Sequence, residues 1–384
     1  EVAIELIRID QFDRKWNKTD SVHYAALIVT PKSRFPYPVF LENGKFLESE
    51  GYQQLDSLIK QKKQDSGSYQ HFWQPIQQKI KELYPEVQRV FVSLDGVYQK
   101  INLETLWNPD TRKYLGQELD IRLVSNTKDL LQRNEPEVTT KSGVVGLFGF
   151  PHYHLYNVHD TITVKTQLDK LKETRKEVQA IARQLSGKFR PQTFLGADAN
   201  EANIKRLKSP QVLHLATHGF FMEDLKAKKT SPFKWIGQEK YLYVQNPLLR
   251  SGLFWTGADA SRYRKALPDS VQENGILTAQ EVLNMDLEST QLVVLSACET
   301  GRGKIQNGEG VYGLQRAFLS AGAKYVLMSL WKVDDVATQY FMQYFYKSWA
   351  KDQDVRKAYR FAQRKLQKEY PSPYYWGAFV LVGR

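Results

Sequence analysis

Short apolar runs that stop at polar residues and glycine recur along the second half of the chain. Between them lie stretches in which apolar positions return every three or four residues. The first pattern suits strands buried on both faces of a parallel sheet, and the second suits amphipathic helices packed against it. Strands are predicted over residues 143–150, 189–195, 212–217, 292–295, 324–330 and 376–382. One helical face carries Leu168, Leu171, Val178, Ile181 and Leu185 and is ended by Gly187. Another carries Ile204 and Leu207 behind a capping box of Asp198 and Glu201. A third carries Val311, Leu314, Ala317 and Phe318 and ends at Gly322. Helices over about 334–345 and 354–369 follow. Strand and helix in alternation read as a doubly wound parallel sheet.

The first 140 residues are patterned differently. Alternation predicts strands over 2–9 and 22–29, and one more over 119–124. Asn43-Gly44 and Asp95-Gly96, each between apolar stretches, are hairpin signals. Leu55, Leu58 and Ile59 share one helical face, and Phe72, Trp73, Ile76, Ile80 and Leu83 another. Two lobes are therefore expected, 1–140 and 141–384.

Chemistry enters at two strand tips. The run 292–295 breaks into Ser296, Ala297, Cys298, Glu299, Thr300 and Gly301, and Cys298 is the only cysteine. The run 212–216 breaks at Thr217, His218 and Gly219. Open parallel sheets gather ligands and reacting groups at the carboxyl ends of strands. If these strands are neighbours, a thiol and an imidazole face each other there. A free thiol titrates near about 8.5, and a nearby imidazolium lowers that by several units. The same imidazole can protonate a leaving amine. A lone cysteine is also compatible with a small buried hydrophobe; the second tip, ending in histidine and glycine, is what points to catalysis.

Those residues resemble a known family. H-L-A-T-H-G at 214–219, V-V-L-S-A-C-E-T-G at 293–301, G-E-G-V-Y-G-L-Q-R-A-F-L-S-A-G-A at 308–323 and S-L-W-K-V-D-D at 329–335 are similar to the CHAT domain. This is a caspase-like peptidase domain often found beside tetratricopeptide repeats. N-P-L-L-R-S-G-L at 246–253, G-I-L-T-A-Q-E-V at 275–282 and Y-Y-W-G-A-F-V-L-V-G at 374–383 extend the match. It runs from about residue 70 to the C-terminus. The resemblance implies an α/β caspase-like sandwich, a mostly parallel sheet between helices, preceded by an inactive caspase-like lobe over 1–140. It implies a cysteine endopeptidase with the dyad His218 and Cys298, and backbone N–H groups of Gly219 and Cys298 as the oxyanion donors. By similarity to separases, Trp331, Asp334 and Asp335 would border the substrate pocket, with Asp335 receiving a basic residue and Asp334 capping a helix. Both aspartates as helix caps is the alternative. The resemblance also implies a protein substrate, an activating sensor or repeat domain outside the chain, and a role in bacterial defence or regulated cell death. A catalytically silent docking scaffold is the rival reading.

Composition changes this picture little. The chain has 384 residues, 42% hydrophobic and 25% charged, ordinary for a globular protein. One cysteine excludes a disulfide framework and favours a reducing, cytoplasmic setting. No run is long and apolar enough for a membrane span, and no secretory leader is evident. The chain opens on Glu1, which reads as a piece of a longer protein. The net charge of +12 is spread over helices that also carry acids, so an acidic partner is expected rather than direct nucleic-acid binding. His152, His154 and His159 lack a familiar zinc spacing and read as surface loop residues. His23 reads as structural. Gly301, Gly303, Gly308 and Gly310 lack the G-K-[ST] of a phosphate loop and read as flexible backbone. No metal or cofactor is implied. The long connection 220–274 is expected to shape the cleft, with 226–229 and 262–265 as candidate cleavage points.

Overall fold

Apolar residues alternate along the first strand, so that every second side chain can turn inward. In the computed structural model, which describes residues 1–134, 143–154, 168–221, 247–262, 273–296, 309–332 and 334–383, the first two strands are β1 (Val2–Phe12) and β2 (Lys18–Val29). They pair antiparallel with Ile4 opposite Ile28 and Leu6 opposite Ala26, all four buried. Strand β3 (Tyr37–Leu41) adds to β2, and β4 (Arg89–Ser93) runs parallel to β1. A short antiparallel pair, β5 (Trp107–Asn108) and β6 (Lys113–Tyr114), precedes β7 (Asp120–Val124), which is parallel to β4. The closing strand Phe379–Gly383 pairs with β7. These elements form one compact unit, Glu1–Pro136 with Leu366–Arg384.

Two expected hairpins are absent from this unit, for different reasons. After β3 the chain enters the helical turn Gly44–Phe46 and then the helix Tyr52–Lys60. Gly44 is required by close approach: a Cβ there would stand 2.2 Å from the carbonyl oxygen of Val22. Strand β4 cannot start a hairpin because both its edges are taken, by β1 and β7, in parallel. The chain instead makes a 3₁₀ turn over Gly96–Lys100. The Asp95 carboxylate accepts the N–H groups of Gly96 at 2.8 Å and Arg8 at 2.9 Å. Gly96 has φ +56° and faces the Tyr24 hydroxyl, where a Cβ would be only 2.1 Å away.

The second unit, Glu137–Lys365, carries β8 (Val144–Pro151), β9 (Arg190–Gly196), β10 (Val212–Ala216), β11 (Gly219–Phe221), β12 (Ser251–Phe254), β13 (Ile276–Thr278), β14 (Leu292–Leu295) and β15 (Tyr325–Ser329). Five of these are mutually parallel in the order β9-β8-β10-β14-β15. The other three form a small antiparallel sheet, β11-β12-β13. Strands β10 and β14 are buried at every position, as continuous apolar runs predict. Helices Lys172–Leu185, Glu201–Arg206, Glu309–Ser320 and Asp335–Asp352 flank the sheet. The fold is thus α/β with a mostly parallel sheet, as expected. Residues 366–384, set in the second lobe by the sequence pattern, group by their contacts with the first unit. No described helix is long and apolar enough to cross a membrane.

Two polar groups pin this core. His214, fully buried in mid-β10, has Nε2 3.1 Å from Glu177 and Nδ1 3.0 Å from the Tyr346 hydroxyl. It therefore ties the strand to the helices Lys172–Leu185 and Asp335–Asp352. The second is Glu201, which does not close a capping box with Asp198. Asn200 is the cap, accepting the Asn203 N–H at 2.9 Å. Glu201 turns inward instead, because two backbone donors at the start of β13 need an acceptor: Gly275 at 2.6 Å and Ile276 at 3.0 Å. Lys205 lies 3.5 Å from Glu201, 3.1 Å from Glu273 and 3.0 Å from Glu281, so this trio of carboxylates already encloses a cation.

Burial pushes the Glu201 carboxyl up to about 7, with Glu273 and Glu281 adding to the rise and Lys205 opposing it. The folded state then holds a proton that the unfolded chain releases above its ordinary value of 4.5. This contribution is full below 4.5 and is lost as the pH climbs through 7, by about 3 kcal/mol. Urea denaturation at pH 5 and pH 8 should show a loss of that order that Glu201→Gln does not share. Parallel pH dependence in the two proteins would contradict the assignment.

Candidate functional site

Five parallel strands put all their carboxyl ends on one edge, and the strand order reverses between β8 and β10. Ligand crevices of open α/β sheets form outside such a switch point. Strand β10 runs directly into it, delivering Thr217 and His218, both buried. Strand β8 delivers His152 and Tyr153 to the same place, parallel to β10 and adjacent to it.

His218 is held from several sides. Its Nε2 lies 2.8 Å from the backbone carbonyl of Asp169. A carbonyl oxygen only accepts, so in this bond Nε2 carries a proton and Nδ1 is the nitrogen turned away from Asp169. The His218 backbone N–H donates to the Tyr153 hydroxyl at 3.3 Å, and its carbonyl accepts the Phe254 N–H at 2.9 Å. Thr217 Oγ1 donates to the Phe254 carbonyl, so the Tyr153 hydroxyl donates to Thr217 at 2.8 Å. The result is a closed relay through Tyr153, Thr217 and Phe254 that returns to His218. Burial drives the Tyr153 hydroxyl far above its ordinary range, which keeps its proton in place to donate. The Tyr153 ring also packs on the imidazole, with centroids 5.3 Å apart.

Strand β14 is the next strand to β10, with Leu215 opposite Leu295. The Ser296 N–H donates to the Leu215 carbonyl at 3.0 Å, which carries the pairing to the last described residue. Cys298 follows two residues later and lies outside the described residues, as do the glycine-rich loop to Gly308, His159 and the candidate cleavage stretches 226–229 and 263–265. Gly219 opens β11 opposite Leu253 and has no positive φ.

Strand β15 is one strand beyond β14, so its carboxyl end lies about 10 Å from that of β10. Trp331 follows it, partly buried. Asp334 is the expected helix cap, accepting the N–H groups of Val336 at 3.0 Å and Ala337 at 3.1 Å. Asp335 does not share that duty. It is exposed, and partial desolvation raises its carboxyl pKa, with Glu173, Asp334 and Glu177 adding and Lys332 opposing. The described histidines of the 152–159 group go to different partners. The His152 backbone N–H reaches Gly196 and Thr256, while His154 is not a free surface residue but lies 2.5 Å from the buried carboxylate of Asp259.

Two functional contributors escaped the sequence. Tyr153 sits among histidines that drew attention away from it, although an aromatic with a hydroxyl at a strand tip is a usable signal. The Asp169 carbonyl is backbone, so no residue type could announce it.

Residues 68–384 match the family described as the CHAT domain. A stretch of 110 residues is 37% identical to human tetratricopeptide repeat protein 28 and 36% identical to the mouse protein. That stretch is 28% of this chain and 4% of those proteins. Among solved structures, the Arg-specific cysteine proteinase gingipain R is similar with a TM-score of 0.41 at 9% identity, over 82% of this chain and 67% of that one. The Saccharomyces cerevisiae separase–securin complex also gives 0.41, at 14% identity, over 80% of this chain and 16% of that one.

The relay around His218 makes a stability prediction. Tyr153→Phe keeps the ring but leaves the His218 N–H and Thr217 Oγ1 short of a partner in a buried site. Unfolding in urea should show a loss of about 1–3 kcal/mol. A midpoint unchanged from the parent would mean that water or another group replaces the hydroxyl.

Proposed function

Since this chain belongs to the CHAT domain family, we propose that it is a cysteine endopeptidase with Cys298 as nucleophile and His218 as its acid–base partner. The observation that supports this most directly is the Nε2–H of His218 bound to the Asp169 carbonyl at the carboxyl end of β10. That bond commits Nε2, and in this reading the proton exchange is assigned to Nδ1. Cys298 is two residues beyond Ser296 on the adjacent strand, within about 7 Å of it by chain length alone.

In the proposed reaction His218 Nδ1 takes the thiol proton, and the Cys298 sulfur attacks a peptide carbonyl carbon. The carbonyl electrons move to oxygen, where the backbone N–H groups of Gly219 and Cys298 receive the charge. The intermediate collapses, the C–N bond breaks, and the proton passes from His218 to the leaving amine. Water, deprotonated by the same Nδ1, then hydrolyses the thioester and frees the thiol.

For specificity, Trp331, Asp334 and Asp335 border the proposed pocket, and Asp335 selects a basic residue before the cut. Glu173, Asp334 and Glu177 lie near enough to act on it, with Lys332 as the opposing cation, and in this reading a substrate cation competes with that lysine for the acids. An activating sensor or repeat domain outside these residues, a cytoplasmic setting and a part in bacterial defence or cell death complete the proposal. The 110-residue match to a tetratricopeptide repeat protein favours a second reading, a caspase-like fold used for docking.

Three fluorogenic peptides differing only in Arg, Leu or Asp before the cut test the first reading. The Arg peptide should be cleaved, with kcat/KM falling about a thousandfold or more in both Cys298→Ala and His218→Ala. Asp335→Asn should lower it about tenfold for the Arg peptide alone. Preference for Leu or Asp would remove the basic-residue assignment, and cleavage that survives Cys298→Ala would remove the dyad.

A further inference from the structure

Asp259, in the helical turn Ala258–Arg262, is a fully buried acid that the proposed reaction does not use. Its surroundings are largely apolar: Tyr153, Phe254 and Ala258 form a core cluster with Leu168, Phe220 and Ile276 packed against it. A carboxylate in such a place is costly unless its partners compensate. Its Oδ2 accepts the backbone N–H of Leu168 at 3.2 Å and lies 2.5 Å from Nδ1 of His154. Its own backbone N–H donates to the Tyr153 carbonyl at 3.1 Å.

Two of these contacts, those with Leu168 and Tyr153, lead to His218. Leu168 is followed directly by Asp169, whose carbonyl takes the Nε2–H of the ring. Tyr153 supplies the hydroxyl that takes the His218 backbone N–H. Asp259 therefore holds both segments that hold His218, one at the ring and one at the main chain. The carbonyl that selects the tautomer sits one residue from the bond to Asp259.

We infer that Asp259 is a positioning residue, which fixes the Asp169 carbonyl through Leu168 and so keeps the proton of His218 on Nε2. The tautomer claim stands on these contacts alone, while its consequence for catalysis rests on the peptidase reading above. An asparagine at this position would keep an oxygen for Leu168; an alanine would not. Leu168→Pro removes the donor itself, because proline has no N–H, and leaves Asp259 untouched.

The test is long-range ¹H–¹⁵N NMR of His218 at pH 8, in protein that also carries Cys298→Ala and cannot cleave by the proposed route. The parent should show one tautomer, Nε2–H. Asp259→Ala and Leu168→Pro should move at least a third of the rings to Nδ1–H, and Asp259→Asn should stay with the parent. With Cys298 restored, Asp259→Ala should lose about tenfold in kcat with KM within twofold. Whichever of the two disruptive variants is folded by circular dichroism decides the matter: a single Nε2–H tautomer in it overturns the inference. A shifted tautomer in a chain whose wild type cleaves no peptide would support the positioning role while removing the peptidase reading.

Discussion

A carbonyl oxygen cannot donate, and the chemistry proposed for His218 depends on that constraint. With the Asp169 carbonyl 2.8 Å from Nε2, one ring nitrogen is committed to holding the side chain, and the proposed proton exchange falls to the other. An imidazole free to rotate would divide its population between tautomers and poses, and only a fraction would be competent. Here the ring also packs at a tilt against Tyr153, and its main chain is bound on both sides. Pre-organisation of this kind is what lets a weak base act without reorganising at the moment of reaction.

The sheet supplies the second constraint. Parallel pairing places the ends of β8, β10, β14 and β15 on one edge, so four segments distant in sequence reach a common crevice. His214, in the middle of β10, hydrogen-bonds with the Tyr346 hydroxyl and lies 3.1 Å from Glu177 on a second helix. The strand that leads to the proposed base is thus held by one histidine and followed two residues on by another. Asp259 and Glu201 do similar work at the margins, each a buried acid that accepts backbone N–H groups from a segment distant in sequence.

Much of the second unit was legible because fully buried strands and amphipathic helices leave unambiguous periods. The runs ending at His218 and Ser296 could be read as strand tips for that reason, while their adjacency is set by the pairing of β10 with β14. The misread elements were those decided by tertiary neighbours. Asp95-Gly96 has the composition of a tight hairpin, but β4 has no free edge to accept a returning strand. Asn43-Gly44 lies between β3 and a helical segment in which Leu47 is buried, and its glycine is there for contact with Val22. Asp198 and Glu201 have capping-box spacing, yet the glutamate is drawn away by two backbone N–H groups some seventy residues on. His154 looked like a surface residue because its partner, Asp259, is distant in sequence. The Asp169 carbonyl was beyond reach, since every residue has one.

The reactivity of Cys298 towards iodoacetamide as a function of pH tests the account most directly, because it reads the thiolate without any substrate. An unassisted thiol reacts with a midpoint near about 8.5. The account predicts a midpoint at least about two units lower in the wild type, returning towards the unassisted value in His218→Ala. A wild-type thiol that reacts only above about pH 8, with a profile unchanged by His218→Ala, would contradict it.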